Sequence, residues 1–196
     1  MAHGTEVRIL RAGDRTAVAW KNGGGVTREI EVWPEHAGMT DFAWRVSLAE
    51  VAADGPFSAF PGVDRTLTLA EGAGMDLTVA GARRLVDERY APQDFPGDAP
   101  TDCRLLDGPV VNFNVMYRRD GPPVDTAVVR GALALTAAPE ETLLVVALGC
   151  PAELDSGAGP VALGPYDAVR VTGPFSGVLR TAGHAAVVRP AGRRGR

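Results

Sequence analysis

Four polar residues of the chain are confined to two short segments. Lys21 is the single lysine among 20 lysine and arginine residues, and Asn22, Asn112 and Asn114 are the only asparagines. A lysine ammonium carries three hydrogen-bond donors, and an asparagine amide offers both a donor and an acceptor. Their confinement indicates two segments that recognise a polar or anionic ligand, with chance clustering in a biased composition as the alternative.

The first segment, Trp20–Glu29, contains the consecutive glycines Gly23–Gly25. Glycine adopts positive φ readily and leaves its N–H exposed, so a loop of this kind can wrap an anion. It lacks the Gly-Lys-Ser/Thr ending and the following helix of a nucleotide-binding phosphate loop. The segment therefore favours a small anion over a nucleotide.

Alternation along the strand after the glycines predicts which side chains share a face. Arg28 and Val32 are expected on one face, and Glu29 and Glu31 on the other. Arg28 would then be a cation on an apolar face, which suits a pocket. A glycine-rich hairpin with exposed polar side chains is the alternative.

Two further segments place arginine beside apolar side chains. In Phe42–Ser47, Arg45 and Ser47 point away from the apolar face, either into solvent or into the lumen of a barrel. In Gly55–Arg65, Asp64 and Arg65 follow a loop with two Gly/Pro-bracketed phenylalanines. Arg65 shares a strand face with leucines, and a guanidinium there needs a carboxylate from the protein or from a ligand.

The segment Val110–Arg119 has the clearest pattern of a pocket wall. Asn112, Asn114, Met116 and Arg118 fall on one strand face, while Phe113 and its apolar neighbours fall on the other. Amides and a thioether are unusual on a solvent face. An edge strand with polar decoration is the alternative.

Metal ligands are scarce. The three histidines, His3, His36 and His184, do not form the His-x-His and Glu pattern of a cupin metal site. Carboxylates alone would suit only a hard metal, and no local Ser-His-Asp or Cys-His motif is present. We therefore expect neither a metal nor a cofactor. The two cysteines fit no metal spacing and are expected to be buried thiols.

Turn signals every eight to twelve residues, with 24 glycines and 15 prolines, predict an all-β chain built as a sandwich or barrel. One helical turn is expected at Leu48–Ala53. The predicted strands are Val7–Leu10, Thr27–Trp33, Phe42–Leu48, Thr66–Ala70, Met75–Ala80, Asn112–Arg118, Thr126–Thr136, Thr142–Ala147, Ala168–Thr172, Val178–Thr181 and Ala185–Arg189.

Charge, glycine and paired prolines at Asp120–Pro123 predict a seam. We expect a first barrel over residues 1–120 that carries the pocket, a second half over 121–190 and a flexible tail over 191–196. The arginines of the tail could attract an anionic partner, although a solvated terminus is the simpler interpretation.

Composition excludes several classes of partner. A net charge of −4 without a concentrated basic face argues against a nucleic-acid surface. No apolar run approaches the roughly 20 residues of a membrane span, and the first residues lack the apolar segment of a signal peptide. We expect a cytoplasmic protein without nucleic-acid or membrane partners. An all-β edge often pairs with its copy, which makes a homodimer an expectation.

In their order, these motifs resemble the HutD/Ves family. The resemblance implies a cupin-like (RmlC-like jelly-roll) double barrel, or bicupin, with one pocket in the N-terminal barrel and a link to bacterial histidine utilisation. The matching motifs are Trp-Lys-Asn-Gly-Gly-Gly-x-Thr-Arg-Glu-Ile (Trp20–Ile30), Phe-x-Trp-Arg-Val-Ser (Phe42–Ser47), Gly-Pro-Phe-Ser-x-Phe-Pro-Gly-x-Asp-Arg (Gly55–Arg65) and Asn-Phe-Asn-Val-Met-x-Arg-Arg (Asn112–Arg119).

Eleven residues are candidates for ligand binding. The resemblance carries seven of them, which are Lys21, Asn22, Arg28, Arg45, Arg65, Asn112 and Asn114. The strand patterns add Glu29, Ser47, Asp64 and Met116. Small carboxylates of the implied pathway, such as urocanate, formylglutamate and glutamate, would suit a pocket rich in arginine, lysine and asparagine.

Three hypotheses remain open on the sequence. The first is a metal-independent protein that binds a small carboxylate and regulates or buffers its level. The second is an enzyme on such a metabolite, with Glu29 or Asp64 as general base and Lys21 or Arg65 holding an anionic intermediate. The third is a protein-interaction module without a small ligand.

Overall fold

The structure, a computed structural model, describes residues 4–157 and 159–191. These residues form β-strands, turns and one short 3-10 turn at Ala12–Asp14, without an α-helix among them. The chain divides into two compact units. The central unit is Arg15–Gly121, and the terminal unit consists of the residues before Arg15 and after Gly121.

The central unit contains two antiparallel sheets. One has six strands in the order β2-β3-β4-β11-β6-β9, and the other has four in the order β5-β10-β7-β8. The strands are β2 (Ala17–Ala19), β3 (Gly25–Trp33), β4 (Trp44–Val51), β5 (Gly55–Pro56), β6 (Val63–Glu71), β7 (Met75–Val79), β8 (Ala82–Val86), β9 (Pro92–Pro96), β10 (Thr101–Leu105) and β11 (Val110–Arg118).

The core of the central unit lies between these two sheets. Leu67 and Leu69 of β6 pack in one cluster with Met75 and Leu77 of β7 and with Cys103 of β10. The four apolar side chains alternate along their strands, so each sheet turns one apolar face towards the other. Burying a leucine of this kind contributes about 1.5–3 kcal/mol, so this cluster holds the two sheets together.

The terminal unit is a seven-stranded antiparallel sheet in the order β1-β16-β13-β17-β14-β15, with β12 also paired to β17. Its core includes Leu143, Val145, Leu179 and Val187. The strands are β1 (Glu6–Leu10), β12 (Val124–Ala137), β13 (Thr142–Leu148), β14 (Ala152–Asp155), β15 (Pro160–Leu163), β16 (Ala168–Thr172) and β17 (Phe175–Pro190).

Each predicted strand overlaps an observed one, with two corrections. Leu48–Ala53 does not turn as a helix, because β4 continues to Val51. The two last predicted strands form the single long strand β17. The sequence also missed seven short strands, which are β2, β5, β8, β9, β10, β14 and β15.

The boundary between the units falls near the predicted seam, but the N-terminal segment lies elsewhere than expected. β1 pairs with β16 from Glu6↔Thr172 to Leu10↔Ala168, so it belongs to the terminal unit rather than to a barrel over residues 1–120. The pairings of the described residues form three open sheets and not two closed barrels.

Other predictions from the sequence concern the cysteines, the C-terminal residues and a possible membrane span. Cys103 is buried and Cys150 is exposed, so the expectation of two buried thiols is wrong for Cys150. Burial, together with the nearby charge of Asp54, raises the pKa of the Cys103 thiol to about 11. The arginine-rich end, residues 192–196, lies outside the described residues. In the part of the chain that is described, no helix is long and apolar enough to cross a membrane.

Asp167 connects the segment after β1 to the rest of the terminal unit. Its carboxylate accepts hydrogen bonds from the Ala12 N–H at 2.7 Å, the Arg11 guanidinium at 2.6 Å and the Gly164 N–H at 3.0 Å. Burial alone would raise the pKa of Asp167, but these three donors outweigh it and lower the pKa below its ordinary 3.8. The ionised carboxylate is therefore the form that the fold favours.

Asp167→Asn should lower the free energy of unfolding by about 2 kcal/mol at pH 7, because charge-assisted hydrogen bonds are lost. The folded-state pKa lies below the unfolded-state value, so this stabilisation is present above pH 3.8 and disappears as the pH falls through the folded-state pKa. Urea unfolding of both proteins between pH 7 and pH 3 measures the difference. A difference that stays constant across this range would contradict the assignment.

Candidate functional site

Polar side chains lie among the apolar core residues on the face of the six-stranded sheet that is turned towards the four-stranded sheet. Strand β11 lies between β4 and β6, and Met116 is directly opposite Arg45 on one side and Arg65 on the other. Asn114 is likewise opposite Ser47 of β4 and Leu67 of β6. Residues directly opposite each other in an antiparallel sheet project to the same side. This surface is called the inner face below.

Arg65 is surrounded by aromatic rings. Its Cζ lies 5.2 Å from the centroid of the Phe57 ring, 5.9 Å from that of Phe60 and 5.3 Å from that of Phe95. Phe57 and Phe60 come from the loop before β6, and Phe95 is opposite Arg65 on β9. Three electron-rich ring faces stabilise the guanidinium, but they offer it no hydrogen-bond acceptor.

Arg65 lacks a counter-ion. Among residues 4–157 and 159–191 its side chain forms no hydrogen bond and no ion pair, and its Nε is buried without a partner. Burial, with a smaller contribution from the positive charge of Arg45, lowers the pKa of Arg65 to about 10. The guanidinium is still protonated at neutral pH, so the site contains a half-buried positive charge that an anion would neutralise.

Arg45, two strands away, has a partner. Its Nε donates to Oε2 of Glu29 at 2.8 Å, and its side chain is only 11% exposed, against 44% for Glu29. Ser47, which is opposite Glu29 in the β3–β4 register, is also buried. Of the two arginines that flank Met116, Arg45 therefore has a carboxylate partner within the described residues and Arg65 has none.

Asn112 and Asn114 are buried on β11 with their amides only partly satisfied. The Oδ1 of each has no hydrogen-bond partner among the residues that the structure describes. The Nδ2 of Asn112 is 3.8 Å from the sulfur of Met75, and the Nδ2 of Asn114 is 3.5 Å from the carbonyl oxygen of Asn112, both of them long contacts. A buried amide oxygen without a donor is costly, and an N–H or O–H donor of a ligand would satisfy it.

A β-bulge in β3 determines which of its charged residues reach this face. The register shifts between Glu29 and Glu31, so Glu29 is opposite Ser47 while Glu31 is opposite Val46. The predicted sharing of a face by Glu29 and Glu31 is therefore wrong, because Ile30 is an extra residue between them. Arg28 is correspondingly separated from Val32 and lies on the opposite face of the sheet.

On that opposite face, Arg28 forms a close ion pair with Glu50 of β4. Asp64 lies on the same face, since it is opposite Tyr117 rather than Met116. Its carboxylate accepts from the Nε of Arg119 at 2.8 Å. Glu29 and Asp64, the two candidate general bases, are thus on different faces of the sheet.

Lys21 and Asn22 lie in the exposed turn between β2 and β3. The Oδ1 of Asn22 accepts from the Gly24 N–H at 3.1 Å, so Asn22 stabilises the turn itself. A side chain at Gly25 would place its Cβ 2.3 Å from the carbonyl oxygen of Glu50 and 3.2 Å from the Trp20 ring. Gly25 is therefore required by close packing rather than for binding an anion.

Seven of the eleven predicted site residues are on the inner face, and four are elsewhere. The seven are Glu29, Arg45, Ser47, Arg65, Asn112, Asn114 and Met116. The other four, in the turn or on the opposite face, are Lys21, Asn22, Arg28 and Asp64.

The aromatic residues around Arg65 were not among the predicted site residues. The pair Phe57 and Phe60, bracketed by glycine and proline, was a usable signal for two of them. Phe95 had no such signal, because only the pairing of β6 with β9 brings it opposite Arg65. Trp20 extends the aromatic group, since its ring meets Phe57 edge to face at 6.4 Å and its Nε1 donates to Thr27.

Outside the inner face, the described residues offer a concavity and no metal-binding cluster. An open concavity of about 620 Å³ in the terminal unit is lined mainly by small residues between Gly131 and Ala182, and it includes no predicted site residue. In the described part of the chain, no group of three or more His, Cys, Asp or Glu side chains is placed to hold a metal ion. The inner face of the central unit is therefore the candidate site.

Comparison with known proteins gives relatives along most of the chain. The HutD family model matches residues 12–188. An uncharacterised 21.2 kDa protein in the hutC 3' region of Pseudomonas putida is 36% identical over 113 residues, which are 58% of this chain and 59% of that protein. Protein Ves of Cronobacter sakazakii is 42% identical over 102 residues, or 52% of this chain and 55% of that protein. The matched segments thus span less than two thirds of these curated relatives.

The solved structures match this chain over a larger share of their own length than the curated relatives do. HutD from Pseudomonas fluorescens SBW25 superposes with a TM-score of 0.85 at 31% identity, covering 96% of this chain and all of that one. A cupin 2 conserved barrel domain protein from Leptotrichia buccalis matches with a TM-score of 0.59 at 9% identity, over 89% of this chain and 92% of that one. The second likeness shows a cupin-like fold and nothing more. The family model and the full-length structural match together show that this chain belongs to the HutD family.

Proposed function

We propose that the central unit binds a small carboxylate metabolite without the help of a metal. The observation that carries the proposal is Arg65, a half-buried guanidinium packed between three phenylalanine rings, for which the described residues supply neither a counter-ion nor a hydrogen-bond acceptor. A half-buried charge of this kind is costly, and a carboxylate would neutralise it with two charge-assisted hydrogen bonds.

The neighbouring amides indicate what else the ligand carries. The unpartnered Oδ1 atoms of Asn112 and Asn114 require N–H or O–H donors. A carboxylate with an amide, amine or imidazole N–H has both features. Urocanate, formylglutamate and glutamate are all of this class, and binding one of them would allow the protein to regulate or buffer its level.

The relatives support a role in histidine catabolism. One curated relative is described only by its place in the hutC 3' region, and the P. fluorescens HutD structure is described as a formate condition. Formate is a small carboxylate, and it therefore belongs to the class of ligand that we propose for Arg65. To this proposal we add a cytoplasmic location, a bicupin arrangement of the two units and a homodimer formed through a free sheet edge.

Thermal unfolding of metal-stripped protein tests the function. Urocanate, formylglutamate, glutamate and formate are each titrated, with chloride as the control anion and divalent cations in a separate series. A ligand at about 100 times its Kd should raise the free energy of unfolding by roughly 2.7 kcal/mol, which is a readily measured shift in Tm. We expect at least one carboxylate, but not chloride, to give this shift.

Two other outcomes of the thermal unfolding experiment would contradict the proposal. Stabilisation by divalent cations alone would mean that carboxylates build a metal site. No stabilisation by any carboxylate or cation would remove the binding function and favour the protein-interaction module. Isothermal titration calorimetry of the best carboxylate then provides the Kd and the stoichiometry.

A further inference from the structure

The two arginines that flank Met116 differ in one respect that bears on ligand choice. Arg45 is held by a carboxylate of the protein itself, Glu29, whose Oε2 accepts from the Arg45 Nε at 2.8 Å. Arg65, on the other side of Met116, has no such partner among the described residues. Without a ligand, the three charged groups Glu29, Arg45 and Arg65 therefore carry a net charge of about +1.

We propose that Glu29 determines the charge of the ligand, because it supplies the carboxylate for Arg45 and leaves only Arg65 for the ligand. The inference rests on the proposed carboxylate-binding function. It makes a ligand with one negative charge the better fit. A ligand with two negative charges must displace Glu29 from Arg45 or place its second charge beside the Glu29 carboxylate.

In the ion pair between Glu29 and Arg45, Glu29 is the side chain that can move away. Its side chain is 44% exposed, whereas that of Arg45 is 11% exposed. The β-bulge after Glu29 brings its side chain to the inner face, diagonally across from Arg45 and opposite Ser47. A carboxylate so exposed can rotate into water, but the guanidinium of Arg45 has no comparable route out of the sheet.

The expected size of the effect follows from the number of charges. Replacing Glu29 by glutamine keeps the shape of the side chain and removes one negative charge, so that Arg45 becomes available. Two charges a few ångströms apart in a partly buried site interact strongly enough to change affinity about tenfold or more. A dianionic ligand should gain this factor, and a monoanionic ligand should gain much less.

Two ligands of nearly equal shape separate the effect of ligand charge on affinity from the effect of ligand shape. Glutarate carries two carboxylates at neutral pH, and its monomethyl ester carries one. Calorimetric titration of both into wild type and Glu29→Gln should show glutarate affinity rising about tenfold in the variant, with the ester changing less than about threefold. Glu50→Gln is the matched control, because it breaks the Arg28 ion pair on the opposite face of the same sheet and should change neither affinity.

The same comparison in a protein that already carries Arg45→Gln tests whether Glu29 acts through Arg45. With Arg45→Gln already in place, Glu29→Gln should no longer favour glutarate over the ester. Equal gains for both probes, or the same gain without Arg45, would overturn the inference while leaving carboxylate binding intact. If neither probe nor any metabolite of the thermal series binds folded wild type, the proposed function fails and this inference with it.

Discussion

Arg65→Met should abolish stabilisation by carboxylates and, at the same time, make the ligand-free protein more stable. In the described part of the chain, the guanidinium of Arg65 has neither an ion-pair nor a hydrogen-bond partner, so its loss should weaken carboxylate binding about 100-fold or more. In the ligand-free protein, the same substitution removes a half-buried charge that has no counter-ion among the described residues. Methionine retains contacts with the surrounding phenylalanines, and the free energy of unfolding should rise by about 1 kcal/mol.

The opposite signs of these two effects separate a binding role from a structural one. A structural arginine would destabilise the protein when it is removed. Arg104→Met is the control, since the Arg104 side chain is 69% exposed and lies 3.6 Å from Asp76. It should leave both the unfolding free energy and the ligand response nearly unchanged. Urea unfolding and calorimetry on the three proteins provide both quantities. An Arg65→Met protein that still responds to carboxylates would refute the role of Arg65.

Gly25→Ala should lower the free energy of unfolding by about 3 kcal/mol, because its Cβ would overlap the Glu50 carbonyl oxygen on the adjacent strand. At 2.3 Å the new atom is far inside van der Waals contact, and the oxygen belongs to a backbone that cannot move independently of β4. The Trp20 ring at 3.2 Å blocks the other direction. Urea unfolding at pH 7 measures the loss.

The glycine next to it is the matched control. A Cβ at Gly24 would lie 3.4 Å from the Asn22 side chain, which is ordinary contact, so Gly24→Ala should stay within about 0.5 kcal/mol of wild type. Equal effects at Gly24 and Gly25 would show that the glycines serve the flexibility of the turn and not the approach of β3 to β4.

The all-β class and the strand pattern of the central unit could be predicted because they depend on local features. Alternation of apolar side chains, together with turn residues at short intervals, is a property of neighbouring residues along the chain. The polar series Asn112, Asn114 and Met116 was predicted on one face for the same reason, and the register of β11 with β4 and β6 agrees with it.

The predictions were wrong where one extra residue shifts the alternation of side chains along a strand. They were also wrong where the contacts of a residue come from a segment distant in sequence. The extra residue Ile30 reverses the faces of Arg28 and Glu31, and nothing in the local sequence marks that bulge. The anion-binding role expected of the glycine loop was likewise inferred from residue types, whereas in the structure Asn22 stabilises its own turn and Gly25 allows β3 to approach Glu50.

The sequence by itself determined the family, the β class and the candidate residues of the inner face. Motifs and the alternation of side chains along a strand depend only on residues that are close in sequence. Only the tertiary structure decided which arginine lacks a partner. Arg45 and Arg65 look alike in sequence, each beside apolar residues on a strand. Their difference arises from pairings between distant segments, since a bulge brings Glu29 to Arg45 and the Phe57–Phe60 loop together with Phe95 surrounds Arg65.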